Sequence, residues 1–343
     1  MRRGLGLGLI GLGAFLLVVA PLLKWYAYPR LAVVPLDQDR TSVSSGPDAT
    51  IFDRSTFTEV TTDLTSTRLV KGDVVASEEA GDDVAIWETR VATTTPDGTV
   101  INAYTERVPF DRHTGAAVES DEGRYDDEPA QHEGQVFKFP FGTEQRTYDF
   151  WDSTIQQARP AEFDGEDEIE GLPVYRFVQV IEPTPYAPPN DTIEVPGSLV
   201  DADEQVVTAD RLYSNTRTLW VEPETGVIIR GQEEQRNTIN YEGEDKIVTT
   251  EVTIGFTDET IEANVADYEG DASRLALLRS TGPLIALLLG ALLLVAGLVL
   301  LLAGSQYGGR RKRADGAQPV QRPATQQPAE DEHLSVMRRD DGG

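Results

Sequence analysis

The chain of 343 residues has no cysteine. That excludes a disulfide framework, a thiolate metal site and a cysteine nucleophile. It does not argue against export, because a domain of this length can bury enough apolar surface without disulfides. Histidine is scarce, with only His113, His132 and His333. No two stand in an H-x-x-x-H or H-E-x-x-H spacing, so no zinc-hydrolase site is indicated. A G-x-S-x-G nucleophile elbow and a phosphate-binding glycine loop are missing as well. Positive charge is short: 30 Lys and Arg stand against 58 Asp and Glu, for a net charge of −28. Residues 24–280 hold 52 of the acidic and 21 of the basic side chains, near −31. A field of that sign repels phosphate backbones and argues against a nucleic-acid partner. It favours cations and basic partners, with solubility as its plainest cause.

Long apolar runs are present, and there are two. GLGLGLIGLGAFLLVVAPLL fills 4–23, and an uncharged block fills 282–304; each has the ~20 residues that cross a hydrocarbon core. Gly4 and Gly8 form a G-x-x-x-G, which in so glycine-rich a run reads as Gly/Leu bias before it reads as a packing motif. The first block could be a signal peptide, but its apolar run is long for one, Pro21 follows the best cleavage residue Ala20, and Trp25, Tyr26 and Tyr28 form an interfacial belt. An uncleaved anchor is expected. Arg2 and Arg3 flank one block and Arg310–Arg313 the other, so the positive-inside rule places both termini in the cytoplasm. The expected layout is a cytoplasmic N-terminus at 1–3, a transmembrane helix at 4–23, an extracytoplasmic β-rich domain at 24–280, a second helix at 282–304 and a disordered cytoplasmic tail at 305–343. Leu334–Met337 in that tail is a weak docking motif.

The middle stretch is mainly β: one large antiparallel domain is expected between the two helices. TRLVKGDVVASEE, DVAIWETRVATTT and VINAYTERVPF read as strands, with Thr95–Thr99 as a hairpin turn. Val174–Ile181 alternates poorly and is expected to be buried on both faces. Val108–Val118 and Leu219–Ile229 share one unit: strand, acidic residue, Thr-Gly, strand. The glycines supply the positive φ of a turn, and Asp111 and Glu222 are placed to bond turn amides. These are expected as two related hairpins of one sheet. Helix is scarce: Asp271–Arg279, capped by Asp271 or Ser273, and a turn at Ile155–Ala158. PTPYAPP at 183–189 is expected as an extended polyproline-like surface loop.

No residue is assigned a catalytic or cofactor-binding role. The acidic clusters Asp121, Glu122, Asp126, Asp127, Glu128 and Asp164, Glu166, Asp167, Glu168, Glu170 lack the ligand order of an EF-hand, so Ca²⁺ binding in them stays open and the metal content unassigned. With so many carboxylates, no pair singles itself out for glycoside hydrolysis. Phe137–Phe141 and Tyr148–Trp151 form the densest aromatic run, expected as core, with the wall of a lipid groove as the alternative.

WYAYP at 25–29, PLD at 35–37, QVFKFPFG at 135–142, TYDFWD at 147–152, GLPVYRF at 171–177 and LWVEPETG at 219–226 resemble, in this order, an actinobacterial membrane protein family of unknown function whose members carry the label PorA-family porin. The layout is similar to that of the class B scavenger receptors, which implies two terminal helices around a β-rich ectodomain with a lipid tunnel. The resemblance also implies a place in cell-envelope lipoglycan maturation. The porin label fits poorly, since two helices cannot enclose a wide pore and the strands lack the lipid-facing alternation and aromatic girdles of an outer-membrane barrel. The expected function is therefore a non-enzymatic envelope protein whose ectodomain binds or passes a lipid or lipid-linked glycan, with membrane lipid or lipoglycan as partner and the oligomeric state open. A scaffold of an envelope complex and a carboxylate-dependent glycan enzyme are the alternatives.

Overall fold

The computed structural model describes residues 2–309. His333, Leu334–Met337 and the expected tail from 310 onward lie outside the described residues. The described residues form two compact units, one of 2–14 with 291–309 and one of 15–290.

The first unit pairs the ends of two helices, α1 (Arg2–Leu22) and α5 (Gly282–Gly309). Gly6 and Gly297 meet at the crossing: a Cβ on Gly297 would lie 2.7 Å from Ile10 Cγ1 and 2.8 Å from the Gly6 carbonyl. Small residues at such a crossing let the backbones approach closely. Gly4 and Gly8 face open space, so the contact uses a different glycine from the G-x-x-x-G. The helix also runs on through 305–309, which were expected as tail. By length and composition, two helical stretches are apolar enough to cross a membrane, 3–31 and 258–303.

The second unit is built on one antiparallel sheet of 13 strands. These are β1 (Asp39–Asp53), β2 (Thr58–Gly72), β3 (Val84–Thr94), β4 (Val100–Asp111), β5 (Arg124–Tyr125), β6 (Glu128–Pro129) and β7 (Tyr148–Asp152). There follow β8 (Gln157–Ile169), β9 (Leu172–Pro185), β10 (Thr192–Pro196), β11 (Val206–Val221), β12 (Ile228–Tyr241) and β13 (Glu244–Phe256). Their order is β6-β5-β4-β3-β2-β1-β13-β12-β11-β9-β8-β7, with β10 on β11. The sheet then closes on itself. Phe110 of β4 pairs with Ala117, Ala116 with Gln135, and Gln135 with Phe150 of β7. Backbone bonds from Ala117 N to Gly134 O, Gln135 N to Asp149 O and Trp151 N to Gln135 O, each 2.8 Å, complete the ring. Closure removes the free edges that an open sheet exposes. Along β2 the alternation is clean: Thr61, Asp63, Thr65 and Thr67 face outward and are exposed, while Thr62, Leu64, Ser66 and Arg68 line the lumen. On this strand the outer face is thus polar, not a lipid-facing band.

Several local expectations change. VVASEE does not extend β2 but forms helix α3 (Val74–Ala80), because Asp73 caps it by accepting from Ala76 N at 3.1 Å. The helix expected from Asp271 begins earlier, as α4 (Asp258–Ala276), capped by Thr257 instead of Asp271 or Ser273. Val265 and Ala272 of α4 cover Leu172, Val174 and Ile229, and Asn264 Nδ2 donates to Ile229 O at 2.9 Å. Val174 is therefore buried under α4 while Phe177, Gln179 and Ile181 face inward, but Val180 is 53% exposed, so burial on both faces holds only at the start of that strand. Residues 153–156 form the β7–β8 turn and 157–158 are already strand, not helix. Residues 183–185 belong to β9, and Ala187 is buried, so PTPYAPP is only partly a surface loop.

Near the membrane helices, α1 passes through a π-helical turn, Leu23–Ala27, into α2 (Tyr28–Leu31). A matching π-helical turn, Leu277–Thr281, joins α4 to α5 and packs against the first.

Candidate functional site: the barrel lumen

The barrel encloses a cavity of about 1450 Å³. Part of its wall is apolar, with Ile51, Leu64, Val252 and Ile254 in one cluster. Another part of the wall is charged, with Asp152, Arg217 and Glu233. The register explains why. Tyr213, Asn215, Arg217, Leu219 and Val221 point inward along β11, so Arg217 falls in phase with apolar neighbours. Its cross-strand partners are Glu233 on β12 and Gln179 on β9.

Arg217 is the hub. Its Nε donates to Glu233 Oε1 at 2.9 Å, and its Nη2 to Asp152 Oδ2 at 2.9 Å. Its Nη1 donates to Gln179 Oε1 at 2.7 Å and to Trp151 O at 3.3 Å. Asp152 is fully buried and also accepts from Tyr213 Oη at 3.1 Å and from the amides of Thr154 and Ile155. Burial holds the Asp152 carboxyl above its usual range, with the Arg217 charge opposing. Burial pushes Glu233 the same way, but Arg217 and the amides of Gln235 and Asn215 outweigh it and hold it low. Beside this group, Trp151 Nε1 donates to Glu106 Oε1 at 2.9 Å and Ser153 Oγ to Glu106 Oε2 at 3.0 Å. His132 Nε2 lies 3.5 Å from Glu106, and the imidazole packs on Trp151 with centroids 4.8 Å apart. Burial would raise the Glu106 carboxyl; His132 and Trp151 hold it low instead. His132 is thus buried inside. Tyr104, half-buried on the lumen wall, is pushed up to about 12 by burial and by Glu106.

Beneath this layer a strap crosses the barrel. Phe137 packs on Trp87 and Phe110 at 5.3 and 5.4 Å, while Phe139 stacks on Phe177 at 4.6 Å, so the strap reaches from β3 and β4 to β9. Two turns hold it, and they are the repeated units read in the sequence. Asp111 Oδ1 accepts from His113 N and Thr114 N; Glu222 accepts from Glu224 N and Thr225 N. Gly115 and Gly226 take φ of +72° and +74°. Phe139 N donates to Gly226 O at 2.7 Å, and Phe141 N to His113 O at 3.4 Å. In the aromatic run Phe139, Tyr148 and Phe150 are core, as expected, and Phe150 and Trp151 also line the cavity.

The acidic clusters are not gathered into a site. Glu122 pairs with Arg107 at 3.1 Å, Asp126 accepts from Thr105 N, and Asp164 pairs with Arg176 at 2.8 Å. Among the described residues no three His, Asp or Glu side chains converge as metal ligands. The charged layer of Asp152, Arg217, Glu233 and Glu106 was not singled out from sequence. Its signal was there: charged residues in the inward phase of strands whose other inward residues are Val108, Phe110, Leu219 and Val221.

A family model described as "Porin PorA" matches residues 5–299. Two curated relatives, both called Porin PorA, are similar to this chain. That of Corynebacterium amycolatum is 26% identical, over 68% of this chain and 77% of its own. That of Corynebacterium resistens is 25% identical, over 92% of this chain and 98% of its own. The chain belongs to the Porin PorA family.

Proposed function

We propose that this chain is a non-enzymatic, membrane-anchored envelope protein whose barrel lumen binds or passes an amphiphile, a lipid or lipid-linked glycan. The observation that carries this reading is the composition of the lumen. Apolar walls at Ile51, Leu64, Val252 and Ile254 suit an acyl chain, and a polar layer suits a head group. The head suited to this layer is rich in hydroxyls. All N–H donors of Arg217 are already bonded within the chain, whereas Asn237 Oδ1, on the lumen wall, is buried with no hydrogen-bond partner and calls for a donor. The carboxylate-enzyme alternative is weaker for the same reason: Asp152 and Glu233 each accept several bonds, and neither is free for proton transfer. A scaffold has no need of such a cavity.

A second reading follows from the name of the relatives, porin, and runs against the expectation that the label fits poorly. A closed barrel with a partly polar lumen favours passage of solutes. The strap at 137–141 lies across that lumen, so conduction through a single barrel would require it to move. Native mass spectrometry of the full chain, purified in nonionic detergent, separates the two. A retained, stoichiometric lipid supports the first reading. A lipid-free protein that gives discrete conductance steps in planar bilayers overturns it in favour of the second.

A further inference from the structure

A second cavity, of about 850 Å³, lies outside the lumen, within the ~300–1,000 Å³ range of small-molecule sites. It sits between the segment that leads from α2 into β1, the strap, the Thr225–Val227 turn and the end of α4. Leu31, Val34, Trp87, Phe141, Leu275 and Leu278 give it a largely apolar wall. That wall reaches the helical segments next to the two hydrophobic spans.

Two polar groups on this wall stand out. Lys138 is 5% exposed, and its Nζ has no hydrogen-bond partner. Its ammonium lies over the Phe141 ring, 3.4 Å from the centroid. The carboxylates whose charge it feels, Glu222 and Asp111, do not bond to it. Both Glu222 oxygens are taken, Oε1 by Glu224 N and Oε2 by Thr225 N and Thr225 Oγ1, and Asp111 Oδ1 accepts from His113 N, Thr114 N and Thr114 Oγ1. The second group is Trp87 Nε1, also buried without a partner. Both orphans are donors, and no buried orphan acceptor belongs to this cavity among the described residues. Buried donors are normally matched, and leaving an ammonium unmatched is costly. Both arginines of the lining are paired, Arg40 with Asp267 and Arg274 with Asp271 at 3.1 Å, while Asp37 and Asp39 at the rim make no ion pair among the described residues. The paired arginines leave Lys138 as the free cation of the site.

We infer that this cavity binds an amphiphile with an acidic head, its carboxylate or phosphate oxygens held by Lys138 Nζ and Trp87 Nε1 and its chain laid along Leu31, Val34, Leu275 and Leu278. The site is separate from the lumen and does not depend on the lumen reading. Donors and acceptors divide the two: this one offers unmatched donors to an anion, the other an unmatched acceptor to a hydroxyl. A charge-assisted contact to the buried ammonium also gives selectivity against neutral analogues, because these would leave it unpaired.

The test uses the full chain, delipidated in nonionic detergent, with a photoreactive hexadecanoic acid as probe and peptide mapping by mass spectrometry. Crosslinks are expected on the peptides that carry Trp87 and Leu275–Leu278. Unlabelled hexadecanoic acid or hexadecyl phosphate should compete, the stronger competitor naming the head, and the methyl ester should not. Lys138→Met should cut labelling at least tenfold, and Trp87→Phe, which keeps the ring packing, several-fold. Labelling unchanged in both variants overturns the inference, as does equal competition by the ester. Competition by inorganic phosphate alone, as strong as that of the acid, overturns the amphiphile assignment. Crosslinks confined to peptides of Ile51, Leu64 and Val252 also overturn it, while supporting occupancy of the lumen.

Discussion

Arg217 uses all its guanidinium donors inside the chain, on Glu233, Asp152, Gln179 and the Trp151 carbonyl. Such a side chain is an organiser of the lumen wall before it is a ligand contact. Arg217→Met strands Asp152, which is 1% exposed, and removing one partner of a buried ion pair costs about 3–5 kcal/mol. The variant should unfold at markedly lower denaturant concentration, and adding Asp152→Asn should recover part of the loss by removing the stranded charge. Lys138 gives a prediction of opposite character. Burial pulls its ammonium down to about 7 from 10.5, with Glu222 and Asp111 opposing. Between those two values the unfolded chain binds a proton that the folded chain does not. Stability of the ligand-free protein should therefore rise with pH from about 7 towards 10, by up to about 1.4 kcal/mol per pH unit. Below 7 both states are protonated and the dependence vanishes. Lys138→Met should abolish the slope in urea titrations at successive pH values; a variant with the wild-type slope would assign it to another group. Neither residue was singled out from sequence. Lys138 sits in QVFKFPFG, where its burial depends on Trp87, Val34 and α4, all distant in the chain.

The turns of this barrel were legible because their chemistry is local. Thr95–Thr99 turns as expected, with Thr99 N bonded to Asp97, and the paired Thr-Gly units carry their acidic side chains on turn amides. The closure was not legible, because it rests on single-residue bridges at Ala116–Ala117 and Gln135 with no strand pattern of their own. Nor was α3: Val74 and Val75 favour strand, and only the Asp73 cap and the close packing of Ser77 under Ile86 N at 2.8 Å turn the segment helical. The strap lines the second cavity through Lys138 and Phe141, and Gly226 is where it is pinned. A Cβ there would stand 2.0 Å from Phe139 O and 2.5 Å from Pro140 O. Gly98 has a similar positive φ, +87°, but open space around it. Gly98→Ala should therefore cost only the left-handed strain, about 1–2 kcal/mol. Gly226→Ala should cost clearly more and displace the strap, read as a lower melting temperature together with altered tryptophan fluorescence. Equal costs for the two would mean that the strap is not held at this turn.

The whole chain alternates apolar and acidic stretches in a way that makes its orientation in a membrane predictable. Stretches 3–31 and 258–303 are each long and apolar enough to span, and two spans put both termini on one side. Arg2–Arg3 and Arg310–Arg313 flank the apolar blocks 4–23 and 282–304 of these stretches at those termini, against Lys24, Arg274 and Arg279 at the other ends. The positive-inside rule weighs Lys and Arg close to the spans and gives little weight to acidic residues, so the −31 of residues 24–280 does not itself decide. Two of the three opposing basic residues are neutralised by carboxylates. Arg279 is engaged by Glu224 in a two-point pair at 2.6 and 2.8 Å, and Arg274 bonds Asp271. We therefore expect both termini in the cytoplasm and the barrel outside. Protease added to intact spheroplasts should remove the barrel and leave a tag on Gly343 protected; permeabilised spheroplasts should lose both. Digestion of the tag from outside, with Tyr104 and its neighbours protected, would reverse the orientation and move both cavities to the cytoplasmic face.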